Sequence, residues 1–346
     1  MKQLEKNRKR QKAKKFSQYE AALDPQLRLF NLSEEDDTYS HTIELYDFMP
    51  KYFWGKVERV EGRFLDPIKR NFECRGKRFN LTLIPARIEV GENEFKDYFP
   101  GRREELVEDA LRKLMTEGHG VLLDGEASVT FTLYQLQKEL KEKGHSYSRD
   151  QLKQALQVLF STDIYLNSAD NQTTLAFSPI ETLGFKGSNS ETHTFVRFSP
   201  LVTESIKKST FRLFNYDKVM TYKSVIARQL HKRMAHHFTQ ASLATTYEIL
   251  LSTLIRDFGL TRQKKIQDNL KEVHKALVEM YDKNVILQCK AEQIVEGDKR
   301  TRIVDFKLSF MPHPEFINDA KRANAKAKES HRQHMPKLIG SSDPTK

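Results

Sequence analysis

Apolar residues repeat with a helical period in two segments of the first half of the chain. The segment 101–118 ends at Gly118 and Gly120, and the segment 146–160 begins near Ser148, a residue suited to cap a helix N-terminus. The apolar positions are Leu106, Ala110, Leu111 and Leu114 in the first segment and Leu152, Ala155, Leu156 and Leu159 in the second. Each set falls on one stripe of a helix. The pattern therefore predicts two amphipathic helices.

Shorter segments of the first half alternate between apolar and polar residues, as strands do. FNLTLI (79–84) is predicted to be a strand, and 128–140 is predicted to be the short strand VTFT followed by a helix. Further strands are predicted over 163–168, 173–180 and 192–200, with a loop over 184–191. The order of helix, strand with helix, helix and β-hairpin is that of a winged helix-turn-helix domain.

The second half repeats this order without a residue-level repeat. A long helix, or a turn followed by a helix, is predicted over 216–238, and an extended entry with a helix over 242–255. A helix over 261–281 carries an apolar stripe, and strands over 285–295 and 301–310 form a hairpin with a basic tip. The stripe consists of Ile266, Leu270, Val273, Leu277 and Met280.

These patterns predict an α+β fold of two tandem winged helix-turn-helix domains with flexible basic termini. The predicted divisions are a basic arm over 1–40, a first domain over 41–199, a second domain over 200–312 and a basic tail over 313–346. A length of 346 residues suits two domains.

The composition agrees with a globular protein. Hydrophobic residues make up 38% of the chain and charged residues 30%, and 22 Phe with 12 Tyr supply core formers. The apolar runs are too short for a membrane span, and no secretory signal is recognised. Cys74 and Cys289 lie too far apart in sequence for a zinc knuckle and are too few for a disulfide framework. A cytoplasmic location without membrane contact is expected.

Charge is divided unevenly along the chain. Residues 1–15 hold 8 Lys/Arg against one Glu, and residues 16–199 hold 23 Lys/Arg against 30 Asp/Glu. Residues 200–317 hold 20 Lys/Arg against 13 Asp/Glu, a net charge of +7. This polarity favours a polyanion as the partner of the second half, although a basic surplus can also serve solubility alone.

The 261–281 helix is the candidate for DNA recognition. Its face opposite the apolar stripe holds Lys264, Lys271 and Lys275, with Lys265 beside them. Arg262 and Gln263 stand at its start, where recognition helices touch base edges. Long cations reach phosphates in a major groove. The alternative is an ordinary solvated face.

Two further basic sets are weaker candidates. The hairpin tip with Lys299, Arg300 and Arg302 suits a wing that contacts the DNA backbone or minor groove, or simply protects a sheet edge. Arg149 and Lys153 lie on the third helix of the first domain. Because that domain is acidic, we expect weak backbone contact there, or a protein interface.

A short peptide in the N-terminal arm is a candidate docking segment. Gln26, Leu27, Leu29 and Phe30 follow Pro25, and such a peptide can anchor in a hydrophobic pocket of a partner. It resembles the pentapeptide by which bacterial replication proteins dock on the DNA sliding clamp. The alternative is a small apolar staple packed back on the domain.

The sequence contains no recognised catalytic motif. No P-loop and no Gly-x-Ser-x-Gly occurs. No two histidines sit two residues apart, so the His-hydrophobic-His metal site of rolling-circle nickases is missing. His236–His237 and His331 with His334 are interpreted as exposed helix residues rather than ligands. No enzymatic activity, metal or cofactor is therefore expected.

Several segments together resemble one family. REELVEDALRKL (103–114), VTFTLYQLQKEL (129–140) and YSRDQLKQALQVL (147–159) resemble the first winged-helix domain of plasmid replication initiators of the RepA/TrfA type. MPKYFWGKVERVEGRF (49–64) with PARIE (85–89) resembles the opening of the RepA branch, and NYDKVMTYKSVIARQLHKRM (215–234) resembles the start of the second domain. QLRLF (26–30) is similar to the clamp-binding motif of TrfA-like members.

The resemblance implies a specific function. Such initiators bind repeated origin sites called iterons, help to melt an adjacent AT-rich segment, and recruit the sliding clamp, the host helicase and the host initiator. They exist in a monomer–homodimer equilibrium. The third helix of the second domain, here 261–281, reads the iteron, and the first domain contacts backbone and forms dimers.

Two other functions stay open at this point. A dimeric winged-helix transcriptional repressor has the same predicted elements, but it binds one palindrome rather than tandem repeats. An origin nickase is a different class and needs a metal-dependent site.

Overall fold

The computed structural model describes residues 32, 37–55, 64–170, 173–187, 193–296 and 302–334. It is a mixed α+β structure in which all strand pairs are antiparallel. The arm residues 1–31 and residues 335–346 of the predicted tail lie outside the described residues, so their predicted flexibility stays a prediction. Within the tail predicted over 313–346, residues Pro314–His334 instead form a helix in which Phe316, Ile317, Ala320 and Ala323 are buried.

The first half of the chain, up to residue 199, holds eleven described strands and four described α-helices. The strands are β1 (Tyr39–Ile43), β2 (Ile68–Cys74), β3 (Lys77–Ile84), β4 (Ala86–Gly91), β5 (Glu94–Tyr98), β6 (Gly120–Leu123), β7 (Glu126–Thr132), β8 (Asp163–Ser168), β9 (Thr174–Phe177), β10 (Ile180–Lys186) and β11 (His193–Phe198). The helices are α1 (Glu44–Phe48), α2 (Arg102–Leu114), α3 (Leu133–Glu142) and α4 (Arg149–Ser161).

The second half, from residue 200, is richer in helix. Its helices are α5 (Pro200–Lys207), α6 (Tyr216–Thr221), α7 (Val225–His237), α8 (Leu251–Asp257), α9 (Ile266–Asp282) and α10 (Pro314–His334). Its strands are β12 (Phe211–Asn215), β13 (Tyr247–Leu250), β14 (Ile286–Glu296) and β15 (Arg302–Pro312).

Two sheets of the first half lie around α2, α3 and α4. One has the strand order β10-β11-β7-β6, and the other has the order β2-β3-β8-β9. The hairpin β4-β5 forms a separate sheet. In the second half β13 lies between α7 and α8 in the chain, and β14 and β15 follow α9 and complete the sheet β13-β15-β14. The helices α2, α3 and α4 precede β8 to β11, and the helices α7, α8 and α9 precede the hairpin β14-β15.

The predicted helices of the first half are confirmed in detail. The hydroxyl of Ser148 accepts a hydrogen bond from the Gln151 backbone N–H at 3.1 Å and so caps α4. The eight predicted apolar positions of α2 and α4 are all buried. At the end of α2, the chain continues as a π-helical turn over Met115–His119, where Gly118 adopts a φ of 90°.

The predicted loop over 184–191 is partly wrong. Strand β10 extends to Lys186 and pairs with β11, with Phe185 opposite Thr194. The predicted strand over 173–180 is instead interrupted at Pro179, which has no N–H to donate to a ladder. Gly184, by contrast, does not interrupt β10, since it is paired with Phe195 of β11.

The helix predicted over 261–281 begins later than expected. Residues 261–265 are irregular, and α9 starts at Ile266 after Lys265, which has an extended backbone (φ −110°, ψ 124°). Thr261 is the residue at the predicted start whose side chain could cap a helix that begins at Arg262. Its carbonyl oxygen instead accepts a hydrogen bond from Nδ2 of Asn269. The apolar stripe of α9 is confirmed except that Leu270 is half-buried.

The two halves share one hydrophobic core and one strand pair. Strand β1 pairs with β12 of the second half, with Tyr39 opposite Asn215 and Ile43 opposite Phe211. Tyr46 from the first half and Tyr216 from the second are both fully buried in the same core cluster. Residues 39–43 are therefore joined to the second half. The predicted domain boundary at residue 199 stays a prediction.

A cluster of buried charges lies between helices α2 and α7. Its members, which we call the ionic cluster, carry four positive and four negative charges and are at most 5% exposed. They are Lys51, Arg112, Arg228, Lys232, Asp47, Glu105, Glu108 and Asp109. Such groups are tolerated in a protein interior only when they are paired and hydrogen-bonded.

Candidate nucleic-acid interface

The residues before α9 form an exposed basic segment held by one buried side chain. Residues 261–265 are all exposed, and this stretch, which we call the basic loop, contains Arg262, Lys264 and Lys265. Asn269 is only 5% exposed. Its Oδ1 accepts from the Gln263 backbone N–H at 2.9 Å, and its Nδ2 donates to the Thr261 carbonyl at 2.9 Å. The loop backbone is thereby fixed while its side chains face solvent.

The cations of the basic loop differ from those farther along α9. Arg262 and Lys264 form no ion pair with any residue in the described part of the chain. Lys271 is paired with Asp268 at 2.9 Å and Lys275 with Glu272 at 2.8 Å, and both pairs are exposed. Exposed pairs of this kind are weak and open readily to a phosphate. The strongest positive charge therefore lies at the start of the helix, where the helix dipole adds to it.

The back of the basic loop is supported by the first half of the chain. The indole N–H of Trp54 donates to the Phe258 carbonyl at 2.8 Å, and the Glu73 carboxylate lies 3.5 Å from Arg256. Gly259 turns the chain between α8 and the basic loop with a φ of 63°. A Cβ on Gly259 would lie 2.8 Å from the Arg70 guanidinium, so a side chain there would require Arg70 to shift, and the positive φ also favours glycine.

The second-half hairpin extends beyond the sheet. Along β14 every residue from Lys290 to Glu296 is exposed, and Arg302 is exposed at the start of β15. The predicted contacts Lys299 and Arg300 lie outside the described residues. The hairpin follows α9 directly, which is the position of a wing.

Helix α4, which carries Arg149 and Lys153, is partly covered by other parts of the first half. Strand β4 packs along α4, and Val158 is buried with Ala86 and Ile88. Arg149 and Lys153 are half-buried at the start of the helix. Because the hairpin β4-β5 occupies one side of α4, this helix is less open to a groove than α9.

The predicted histidine environments are partly wrong. His237 is exposed, but His236 is half-buried, and its Nε2 lies 3.0 Å from the Thr42 carbonyl oxygen. Burial lowers the pKa of His236 to about 4. The side chains of His331 and His334 lie outside the description. No group of three or more His, Cys, Asp or Glu residues in the described ranges is arranged to hold a metal ion.

Other predicted features fall outside this interface. The docking segment Gln26, Leu27, Leu29 and Phe30 lies in the arm, outside the described residues. Among the helices of the described ranges, none is long and apolar enough to cross a membrane.

Sequence reasoning missed the side chains that position the basic loop. Asn269 is a polar residue on the buried stripe of α9, three residues after Ile266 and four before Val273. That placement is the signal that could have identified it, since a buried amide needs partners. Trp54 and Arg70 carry no such signal, because their contacts join positions far apart in sequence.

The fold has known structural neighbours, although no family model and no curated protein sequence matches the chain. A crystal structure of RctB domains 2-3 is similar with a TM-score of 0.45 and 11% identity, and it covers 76% of this chain and 96% of that one. A selenomethionine derivative of RctB domains 2 and 3 gives a TM-score of 0.46 and 12% identity over 73% and 94%.

A third neighbour was solved with DNA. The Pi initiator protein in complex with iteron DNA is similar with a TM-score of 0.40 and 14% identity, covering 67% of this chain and 98% of that one. A replication initiator, the class that the sequence motifs resemble, is thus also among the structures similar to this chain.

Proposed function

We propose that the protein is a DNA-binding replication initiator built from tandem winged-helix domains, over 41–199 and 200–312. The basic loop and the start of α9 enter the major groove of an origin repeat, and the β14-β15 hairpin lies against the backbone. The observation that carries this proposal is the basic loop itself, in which five consecutive exposed residues are held in one conformation by Asn269. A preordered cationic segment binds DNA without first losing its own conformational entropy.

The roles within the interface follow from side-chain chemistry. Arg262 and Lys264 form charge-assisted hydrogen bonds to phosphates or guanines, and Gln263 can pair with an adenine edge. Lys265 contributes a phosphate contact from the basic loop. Lys271 and Lys275 contribute phosphate contacts by exchanging their partners Asp268 and Glu272 for DNA. Arg302, with Lys299 and Arg300, supplies the wing contact.

The salt dependence of DNA binding tests the interface. We expect Arg262→Ala and Lys264→Ala each to lower the slope of log affinity against log salt by about one, since each phosphate contact releases about one counterion. Lys271→Ala and Lys275→Ala are expected to do the same if each meets a phosphate. Fluorescence anisotropy with duplex from the sequence flanking the gene, measured at several salt concentrations, gives these slopes.

A matched control separates local contact from overall charge. Lys208 is an exposed lysine paired with Glu204 on α5, away from the basic loop in sequence. Lys208→Ala removes one positive charge but should leave the slope unchanged. If Arg262→Ala and Lys264→Ala also leave the slope unchanged, the basic loop is not part of a DNA interface.

The first half takes a supporting role in this proposal. Arg149 and Lys153 make weak backbone contact, and the same half mediates a monomer–homodimer equilibrium. Tandem bound copies bend the origin and stabilise a melted state, with a deformation cost of several kcal/mol offset by protein–DNA contacts. A footprint of monomers on repeats supports an initiator, whereas a dimer on one palindrome supports a repressor.

Recruitment of host proteins is a separate part of the proposal. Gln26, Leu27, Leu29 and Phe30 dock on the bacterial sliding clamp, and the host helicase and initiator bind elsewhere on the complex. A clamp pull-down with Leu29 and Phe30 both changed to Ala tests the docking segment. Retention equal to wild type would rule it out.

We propose no enzymatic activity and no cofactor, and a cytoplasmic location. An origin nickase is the competing class. Incubation of supercoiled plasmid with the protein and magnesium is expected to leave the plasmid intact, and nicked product would overturn this part of the proposal.

A further inference from the structure

The sheet β2-β3-β8-β9 has one face packed in the core and one face open to solvent. On the inner face Leu81, Leu83 and Leu166 are buried. On the outer face two rows of side chains cross all four strands, and we call these rows the outer sheet face. The first row is Asn71, Asn80, Asn167 and Thr174, and the second row is Lys69, Thr82, Tyr165 and Ala176.

The asparagine row is unusual for a solvated sheet. Asparagine is depleted in strands, where Thr, Val and aromatic residues are favoured. Here three asparagines lie directly opposite one another on adjacent strands, Asn71 beside Asn80 and Asn80 beside Asn167. Cross-strand neighbours of this kind stand about 5 Å apart. A row of such residues is costly for the sheet, which calls for a reason other than strand stability.

The three amides are available to a ligand. Asn71 and Asn80 are exposed and Asn167 is half-buried. Within the described part of the chain, no hydrogen bond joins any of the three side chains to another group. Each amide offers two donors and one acceptor, the set that reads the edge of an unpaired base.

The second row supplies an aromatic surface and a cation. Tyr165 is 40% exposed and stands between Thr82 and Ala176, small neighbours that leave its ring accessible. Lys69 lies at the edge of the same row. An exposed ring with a lysine two strands away is suited to stack a base while the ammonium group meets a phosphate of the same strand.

The charge of this face differs from that of the half that carries it. Residues 16–199 hold 23 Lys/Arg and 30 Asp/Glu, yet neither row contains a carboxylate. Arg78, two residues before Asn80 on β3, lies on the same face directly opposite Glu73. Glu73 pairs with Arg256, and Asp163, at the other end of the face, accepts a hydrogen bond from Ser178.

From this arrangement we propose that the outer sheet face binds single-stranded DNA. Four strands about 4.8 Å apart give a platform of about 14 Å, enough for two or three nucleotides. One base stacks on Tyr165, the asparagine row bonds to base edges, and Lys69 and Arg78 meet phosphates. The inference rests on the proposed function only for the source of the single-stranded DNA, which melting of the origin would supply.

Binding of a labelled 15-nucleotide dT strand to the full chain tests the proposal. We expect Tyr165→Leu to weaken anisotropy-detected binding about tenfold, because one base–aromatic stack is lost, while Tyr165→Phe retains it. Asn80→Val should weaken binding severalfold on mixed-sequence strands, and it raises strand propensity, so the fold is preserved. Tyr134→Leu is the matched control, since Tyr134 is an exposed tyrosine on α3 of the same half.

The outcomes separate this proposal from the preceding one. Arg262→Ala should weaken duplex binding but leave dT binding unchanged, and Tyr165→Leu should do the reverse. If duplex binding fails while Tyr165→Leu still weakens dT binding, the initiator proposal falls and this one stands. The proposal is overturned if Tyr165→Leu binds dT as tightly as wild type and Asn80→Val binds mixed-sequence strands as tightly as wild type. A change in sedimentation of Tyr165→Leu without a change in dT affinity would identify the face as a self-association surface and also overturn it.

Discussion

Arg228 on α7 and Glu105 on α2 join the two halves through a fully buried ion pair. The Arg228 Nη2 donates to the Glu105 Oε2 at 2.6 Å, and the Nε donates to the same oxygen at 3.0 Å. Gln229 donates to the other oxygen of Glu105 at 2.6 Å. Since both oxygens and the guanidinium are occupied, the pair is satisfied although neither side chain reaches solvent.

The pair belongs to the ionic cluster, which links three parts of the chain. Lys232 on α7 contacts Asp109 at 2.5 Å, and Arg112 on α2 donates to Asp109 at 2.7 Å and to Asp47 at 2.6 Å. Burial would raise the pKa of Asp47, but the positive charges of Arg112, Lys232 and Lys51 outweigh it and hold that pKa well below its usual range. Asp47 therefore stays ionised at neutral pH, and the ionic cluster joins the two halves through its paired charges.

Removing one member of the pair is expected to be strongly destabilising. Arg228→Met keeps most of the side-chain volume but leaves Glu105 as an uncompensated buried charge, so the free energy of unfolding should fall by about 3–5 kcal/mol. Urea denaturation followed by circular dichroism measures this loss. Lys208→Met breaks an exposed pair with Glu204 and should cost less than about 1 kcal/mol. A loss below about 1 kcal/mol for Arg228→Met would mean that the buried pair adds little.

The ionic cluster also revises how the charge pattern of the sequence is interpreted. The first half is acidic and the second half basic, a pattern that by itself favours a polyanionic partner. In the fold, Glu105 and Asp109 of the first half face Arg228 and Lys232 of the second. Part of the complementary charge is therefore buried between the halves. Composition cannot separate such internal pairs from surface charge, because their partners are over 120 residues apart.

A buried histidine predicts how stability changes with pH. His231 is 1% exposed, lies 3.1 Å from the Tyr222 hydroxyl and faces the ring of Phe316. Burial, with help from Lys218 and Lys232, lowers its pKa to about 3. The unfolded chain, where the pKa is near 6.5, binds a proton that the folded chain does not. Stability is therefore full above about pH 6.5 and falls as the pH drops from there toward 3.

Substitution of His231 should flatten this pH dependence. Between pH 7.5 and pH 5, we expect His231 to account for about 2 kcal/mol of the lost unfolding free energy. In His231→Phe the drop over that interval should be smaller by this amount, although the variant loses the contact with the Tyr222 hydroxyl. His274→Gln, at an exposed position on α9, should follow the wild-type profile. Parallel profiles for His231→Phe and wild type would contradict the assignment.

A pair of glycines tests how closely the halves approach behind the basic loop. Gly259 and Gly144 both have positive φ, 63° and 87°, but only Gly259 has another part of the chain against its missing Cβ. Gly144→Ala should cost about 1 kcal/mol of unfolding free energy for backbone strain alone. Gly259→Ala should cost more, because its Cβ would also meet Arg70 at 2.8 Å and Pro50 at 3.1 Å.

The measurement is the difference between the two variants in thermal or urea unfolding. A further consequence is expected for Gly259→Ala, since the same turn leads into the basic loop, so its affinity for duplex DNA should also fall. Equal stabilities of Gly259→Ala and Gly144→Ala would show that Arg70 and Pro50 move aside at little cost.

Local patterns predicted most of the elements but less of the candidate interface. The helices α2 and α4 and the hairpin β14-β15 follow from spacing, capping and alternation, which act between near neighbours. The start of α9 does not follow from such patterns, because it depends on the buried side chain of Asn269. The contact of Trp54 does not follow either, because its partner Phe258 lies in the other half of the chain. The predicted cations of the basic loop are exposed as expected, while their preordering by Asn269 becomes visible only in three dimensions.

Asn269 is expected to control DNA affinity more than stability. In Asn269→Leu the similar volume fills the buried site, and the freed Gln263 N–H and Thr261 carbonyl lie in an exposed loop where water can bind them. The unfolding free energy should therefore change by only about 1 kcal/mol. Without its two bonds the basic loop becomes mobile, and ordering it on DNA should weaken duplex binding about tenfold.

Asn269→Asp gives the finer test of this idea. The carboxylate can still accept from the Gln263 N–H but cannot donate to the Thr261 carbonyl, so one bond is replaced by repulsion between oxygens. Its added negative charge near the basic loop also opposes phosphate, so its duplex affinity should fall at least as far as that of Asn269→Leu at low salt and recover relative to it as salt rises. Wild-type duplex affinity in Asn269→Leu would show that the loop is ordered by other contacts, because the amide would then be dispensable for the conformation that DNA binds.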